Sequence, residues 1–212
     1  MKNAALGFRA HSGWAAVVAL TVTKGEPVIL ARERIHLVET FRYKFRQPYH
    51  TAERMPPDER RAFISRAQAE ARRLAHHAIH QLQENLRAQG YQLSRCGLVL
   101  ASGRPLPALP QILASHALIH TADGELFREA LLHASARADL RATTAKEREL
   151  LDIASRALGI KPHVLTRRIA ELGRPLGSPW TQDEKCASLI AWLALVSRAR
   201  ASASTRTQKS AD

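Results

Sequence analysis

From Trp14 to Thr23 the chain is almost continuously apolar and rich in small and β-branched residues, the pattern of a strand covered on both faces. Lys24-Gly25-Glu26-Pro27 reads as a turn, and Val28 to Val38 resumes as a strand with Ile29, Ala31, Ile35 and Leu37 on one face. Leu6-Gly7-Phe8 supplies a shorter first strand, so antiparallel strands open the chain. The pattern then changes period. Ala71, Leu74, Ala75, Ala78, Leu82 and Leu86 recur at helical spacing, which predicts a long helix over roughly Asp58 to Gln89, stopped by Gly90.

Cys96 to Ala101 is a compact apolar strand, expected to run parallel to the first. Leu109 to Ala138 reads as helix with a break near Gly124, and Leu140 to Thr143 as a short strand. Thr144-Ala-Lys-Glu147 has the form of a capping box for a helix ending at Gly159. Pro162 starts a further helix that stops at Gly173. After the Gly/Pro loop from Leu172 to Trp180, Thr181-Gln-Asp-Glu184 opens a last apolar helix ending near Ser197. Arg198 to Asp212 has no apolar periodicity and reads as a disordered basic tail behind one domain over residues 1–197.

Charge changes the picture. The 212 residues carry a formal net charge of +13, which favours polyanionic partners, nucleic acid first. Arginines scattered over nearly every segment also fit general basicity. Cys96 and Cys186 sit in apolar runs and read as buried free thiols rather than a disulfide. The start lacks a signal-peptide pattern, and the longest apolar run, Cys186 to Val196, is short of the about 20 residues that cross a bilayer. The expectation is a cytoplasmic bacterial protein with no membrane partner.

Several side-chain groups can carry chemistry. Arg9 can make bidentate contacts to phosphate or carboxylate, with His11 and Ser12 in the same turn. His116, His120 and Asp123 are spaced to share a helix face and resemble a facial metal triad in composition, so a divalent metal is a candidate cofactor. A hydrogen-bonded histidine face fits the same spacing. His76, His77 and His80 repeat it amid arginines, as a solvated face would. Phe41-Arg42-Tyr43-Lys44-Phe45-Arg46 alternates aromatic and basic residues. If extended, it offers Arg42, Tyr43, Lys44 and Arg46 to single-stranded nucleic acid. An edge strand whose aromatics join the core is the competing reading. Gln47-Pro48-Tyr49-His50 turns the chain and can return His50 toward the site.

Three stretches, in order, carry a family resemblance. Gly7-Phe8-Arg9-Ala10-His11-Ser12-Gly13-Trp14-Ala15-Ala16-Val17-Val18 is similar to the Gly-Ile-Asp-Pro-Gly…Gly-Trp-x-Val-Val opening of RuvC-like members of the RNase H-like superfamily. His120 to Ala134, followed by Asp139-Leu140-Arg141, resembles that family's helix with an internal Gly leading into a short edge strand. Asp183-Glu-Lys-Cys-Ala-Ser-Leu-Ile-Ala191 resembles its final helix. The resemblance implies an α/β fold with an RNase H-like mixed sheet, antiparallel strands then parallel ones, and helices on both faces.

RuvC-like nucleases hold two divalent cations about 4 Å apart on clustered carboxylates. The resemblance places Arg9 at the first metal-binding Asp, no acid at the end of the fourth strand (Leu98 to Gly103), and Cys186 at the last helix's second Asp. Asp183 is the one match, with Glu184 beside it. Both also suit helix capping. The expected site gathers Arg9, His11, Ser102, Arg104, Asp183, Glu184 and Lys185 in one crevice, with Asp183, Glu184 and His11 as candidate catalytic groups and Arg9, Ser12, Arg104 and Lys185 as candidate phosphate ligands.

Three functions remain open: a divergent domain binding or acting on nucleic acid with a degenerate metal centre, an enzyme using Arg9, His11 and the histidine helix on a small anionic substrate, or a non-catalytic assembly protein that dimerises.

Overall fold

The computed structural model describes residues 1–40, 42–101 and 105–197. Phe41, Ser102, Arg104 and the basic tail therefore lie outside the described residues. Strands β1 (Lys2–His11), β2 (Trp14–Thr23), β3 (Glu26–His36), β4 (Tyr91–Leu100) and β5 (Arg141–Lys146) form one sheet in the order β3-β2-β1-β4-β5. β1 pairs antiparallel to β2 and β2 to β3, whereas β4 runs parallel to β1 and β5 parallel to β4. The expected mixed sheet is present, with β1 longer than its apolar centre suggests.

The helices are α1 (Tyr43–Arg46), α2 (Pro48–Glu53), α3 (Pro57–Ala88), α4 (Leu109–Leu113), α5 (His116–Arg137), α6 (Glu147–Leu158), α7 (Pro162–Leu172) and α8 (Gln182–Val196). Ile64, Ala71, Ala75, Ile79, Leu82 and Leu86 form the buried stripe of α3 and meet Ala4, Leu6 and Phe8 of β1 and the buried face of α5 in one core. On the sheet's other face, α8 is buried along Cys186–Ala194, and its apolar residues pack with Val18, Leu20, Val99 and residues of α6 and α7. A helix apolar all round, as α8 is, needs cover on every side, and the sheet and two helices provide it.

Two glycines set how closely α8 approaches. Gly7 of β1 and Gly97 of β4 are register partners. A Cβ on Gly7 would lie 1.8 Å from the Ala187 carbonyl oxygen, and one on Gly97 2.4 Å from that of Ile190. The backbone of α8 thus rests directly on the middle of the sheet, which fixes its first turn at the sheet's end.

Several local expectations are corrected. Ile29 and Ala31 do not share a face: the β2–β3 register shifts between Ala19 and Leu20, and this bulge sends Ile29 to the α8 side while Ala31 packs on the α3 side. The helix over 109–138 breaks at Ser115, which is extended, and runs unbroken through Gly124, where the Arg128 guanidinium covers the space a side chain would take. Thr144 caps nothing. It pairs with Leu98 in β5, the ladder continues to Lys146, and Lys146 becomes the N-cap of α6. Gly159 ends α6 at φ 67°, the left-handed cap its position predicts. Residues Tyr43–Arg46 are helical rather than extended. One turn of helix lets Phe45 pack on the core and leaves Tyr43 and Lys44 exposed, so the alternation does not separate an aromatic from a basic face.

Among the described residues, no helix is long and apolar enough to cross a membrane. Cys96 and Cys186 are both buried free thiols, and burial pushes both above the ordinary thiol range.

Candidate functional site

β1, β4 and β5 are parallel, so their C-terminal ends lie at one end of the sheet, where open α/β sheets place ligands. Side chains alternate along β1, so Arg9, like Gly7, is on the α8 face. There its guanidinium is ion-paired through Nη1 to Asp183 in the first turn of α8, and through Nη2 to both carboxylate oxygens of Glu147, at 2.9 and 3.0 Å. Glu147 is the first residue of α6, directly after β5. Arg9 and Asp183 are about one-fifth exposed and Glu147 nearly half.

His11 lies beside this triad. Its Nε2 lies 3.0 Å from Asp183 Oδ1 and 3.4 Å from Arg9 Nη1, and its ring stacks on Trp14 at 4.3 Å between centroids. Burial lowers the His11 pKa from the ordinary value, and the nearby Arg9, Arg34 and Arg128 guanidinium groups add to this against the opposing charge of Glu147. A neutral imidazole with its Nε2 unprotonated accepts from Arg9 Nη1 there, since a guanidinium can only donate. Arg34 places its guanidinium 3.6 Å from the centre of the Trp14 ring. The adjoining groove is lined by Trp14, Arg32, Arg34, Pro179, Thr181 and Asp183.

The sequence-predicted residues do not all converge. Arg9, His11 and Asp183 do. Glu184 lines the adjoining groove but does not join the triad: its Oε2 accepts from the Thr181 amide at 2.7 Å and the Thr181 hydroxyl at 2.6 Å, while the same hydroxyl accepts from the Asp183 amide. This is the capping box that its spacing also allowed, and it uses the carboxylate locally. Lys185 lies on a neighbouring groove between α6, α7 and α8, with Leu150, Thr166 and Cys186. Ser12 is in the β1–β2 turn, half-buried. Glu147 was missed because Thr144–Glu147 fits a cap template. The available signal was an acid immediately following a strand that ends at the same edge as Arg9.

A second cluster occupies the α5 side. His116 and His120, one turn apart on α5, bring their Nε2 atoms within 3.0 Å. The third member is His50 of α2, and the ligand atoms of all three lie within 4.8 Å of one another. Asp123 is not a ligand in this group, which corrects the expected triad. Both its oxygens are taken, Oδ2 by His50 Nδ1 at 2.5 Å and Oδ1 by the Tyr49 amide at 2.7 Å. Burial raises the Asp123 pKa, and the donors from His50 and Tyr49 hold it back. His76 and His80 on α3 also face each other, 6.4 Å between centroids.

No family model matches the chain, and no curated protein does. Solved structures do. Thermus thermophilus RuvC in complex with a Holliday junction substrate superposes with a TM-score of 0.51 at 10% identity, covering 91% of this chain and 92% of that one. A second Thermus thermophilus RuvC structure gives 0.48 at 13% identity, covering 91% and 93%. The fold is RNase H-like, of the RuvC kind. The resemblance read from three sequence stretches thus extends over nine-tenths of the chain in three dimensions.

The two-metal centre implied by such a fold requires free carboxylates facing one another. Here a guanidinium stands between Asp183 and Glu147 and takes an oxygen of the first and both of the second.

Proposed function

We propose that this protein binds structured nucleic acid on a RuvC-like scaffold without cleaving it by metal-dependent hydrolysis. The observation that carries the reading is that Arg9 bridges the two acids, with Nη2 on both oxygens of Glu147 and Nη1 ion-paired to Asp183. An arginine at that point supplies permanently the positive charge that Mg²⁺ would supply, and neither ligates a metal nor activates water. The fold likeness over nine-tenths of the chain to a nuclease seen on a Holliday junction supports a nucleic-acid partner, as does the net charge of +13. Arg42, Tyr43 and Lys44 are exposed on α1 and at its start, and serve in this reading as contacts to the phosphate backbone.

An enzyme that uses Arg9 to hold a small anion is less well supported. The donors that would grip the substrate are already committed to two carboxylates of the chain itself.

Fluorescence anisotropy with a labelled four-way junction, a duplex and a single strand tests the proposal. Affinity should fall by about 100-fold or more between roughly 50 and 200 mM salt, as phosphate contacts release counterions. The junction should remain intact with Mg²⁺ or Mn²⁺. No binding to any of the three at low salt overturns the nucleic-acid partner; Mg²⁺-dependent cleavage that Asp183→Asn abolishes overturns the loss of the metal centre.

A further inference from the structure

The geometry points to a transition-metal site at His50, His116 and His120, on the opposite face of the sheet from the Arg9 triad and independent of the nucleic-acid reading.

His50 is 4% exposed and Asp123 3%, and the two are hydrogen-bonded to each other. A carboxylate only accepts, so the hydrogen bond to Asp123 Oδ2 places the His50 proton on Nδ1 and leaves Nε2 with its lone pair. Metal-bound histidines are commonly oriented this way, with a carboxylate behind the ring fixing its tautomer and raising its basicity. The Tyr49 amide in turn fixes Asp123 through Oδ1. The ring that faces His116 and His120 is thus held from behind by α5 and by its own helix.

The other two rings supply the remaining geometry. The helical spacing of His116 and His120 puts them on one face, and their Nε2 atoms stand 3.0 Å apart. Two nitrogens on one tetrahedral zinc, each at about 2.0–2.1 Å from it, are about 3.3 Å apart. The three rings are steeply inclined to one another, at 87°, 67° and 80°, as imidazoles spread around a common centre are. His50 is buried while His116 and His120 are exposed. Three nitrogen ligands with the fourth direction toward solvent is the arrangement that leaves a position for water. Imidazole nitrogens select zinc, copper, nickel or iron over magnesium or calcium. The structure assigns the site to such an ion, with zinc the fit for a tetrahedral set, and gives Asp123 the positioning role rather than a place in the coordination shell.

The experiment uses the full chain, stripped with chelator and titrated with Zn²⁺ against a chromogenic chelator, then with Co²⁺ for its visible spectrum. One equivalent of Zn²⁺ is expected per chain, with the intense visible bands of four- or five-coordinate Co²⁺. His116→Gln and His120→Gln alter exposed side chains, should keep the far-ultraviolet circular dichroism, and should each remove the Co²⁺ bands. Asp123→Asn should leave the bands and weaken Zn²⁺ by about 10- to 100-fold. His76→Gln combined with His80→Gln, on the other histidine face, should change nothing. Absence of a stoichiometric equivalent in the wild type, or an equivalent that survives His116→Gln and His120→Gln together, overturns the assignment and leaves a hydrogen-bonded histidine cluster.

Discussion

Arg9 and Asp183 are 174 residues apart in sequence and ion-paired in the fold, one from the end of β1 and the other from the first turn of α8. The pair exists because α8 lies on the glycines of β1 and β4, which brings its start to the strand end. With Glu147, the first residue of α6, the three residues tie the central strand to two helices through ion pairs. Their exposure keeps such a contact from the heavy desolvation cost of a fully buried pair.

Removing the guanidinium should therefore expose the repulsion it suppresses. Arg9→Ala is expected to cost about 2 kcal/mol, since charge-assisted hydrogen bonds are lost and two acids are left facing one another. Mg²⁺ or Mn²⁺ should then raise the melting temperature of Arg9→Ala and leave that of the wild type unchanged. Equal stabilisation of both proteins in a thermal-shift measurement would show that the guanidinium does not occupy the cation's place.

The Gly7–Gly97 register pair should tolerate no side chain. Gly7→Ala would place a methyl group 1.8 Å from a backbone oxygen that cannot move without shifting α8. Overpacking against backbone should cost about 3 kcal/mol or more, read as a lower urea midpoint. Gly97→Ala, at 2.4 Å, should be nearly as damaging. A wild-type midpoint for either variant would contradict the close approach.

The sheet and α8 were legible because their signals are long. Trp14 to Thr23 is apolar over a whole strand, and Thr181-Gln-Asp-Glu184 supplies both halves of a capping box before a fully apolar helix. The α1 segment was not legible, because alternation of aromatic and basic residues over six positions is equally consistent with one turn of helix once Phe45 finds the core. At the site, Arg9 and Asp183 were readable only through the family's order of motifs. Glu147 was hidden by a local cap template that lost to two more residues of β5–β4 ladder. His116 and His120 were readable from helical spacing. His50 could be brought to them only by the fold, since nothing local ties α2 to α5, and Asp123 looked like a ligand because sequence cannot tell a first contact from the group behind it.

The cap of α8 makes a separate prediction about acid. Partial burial tends to raise the Glu184 pKa, but the Thr181 hydroxyl and amide donors and the Arg32 charge outweigh it, so the net shift is downward. A lowered carboxylate pKa contributes stability above its unfolded value, about 4.3, that is lost as pH falls toward the folded value. Thr181→Ala should cost about 1 kcal/mol at neutral pH through loss of the cap. It should also flatten stability against pH between roughly 5 and 3 relative to the wild type, because Glu184 loses the Thr181 hydroxyl donor. Parallel urea-midpoint curves for the two proteins over that range would separate Glu184 from acid unfolding.

His11 should add a second loss of stability on acidification, at higher pH than that of Glu184. In the fold its pKa is held down by burial and by the Arg9, Arg34 and Arg128 charges, against the opposing charge of Glu147. In the unfolded chain it takes up a proton near about 6.5. Between the folded value and about 6.5 the unfolded state therefore binds more protons, so stability rises with pH and falls as the solution is acidified. His11→Asn keeps a polar side chain beside Arg9 and Asp183 but cannot titrate, and should lose this dependence. The measurement is the urea midpoint of both proteins at about pH 7.5, 6.5 and 5.5. The wild type should fall more steeply than the variant across that range. A wild type that instead gains stability on acidification, with the gain absent from His11→Asn, would mean that a charged His11 pairs with Asp183 and that the acid, rather than the three arginines, governs the imidazole.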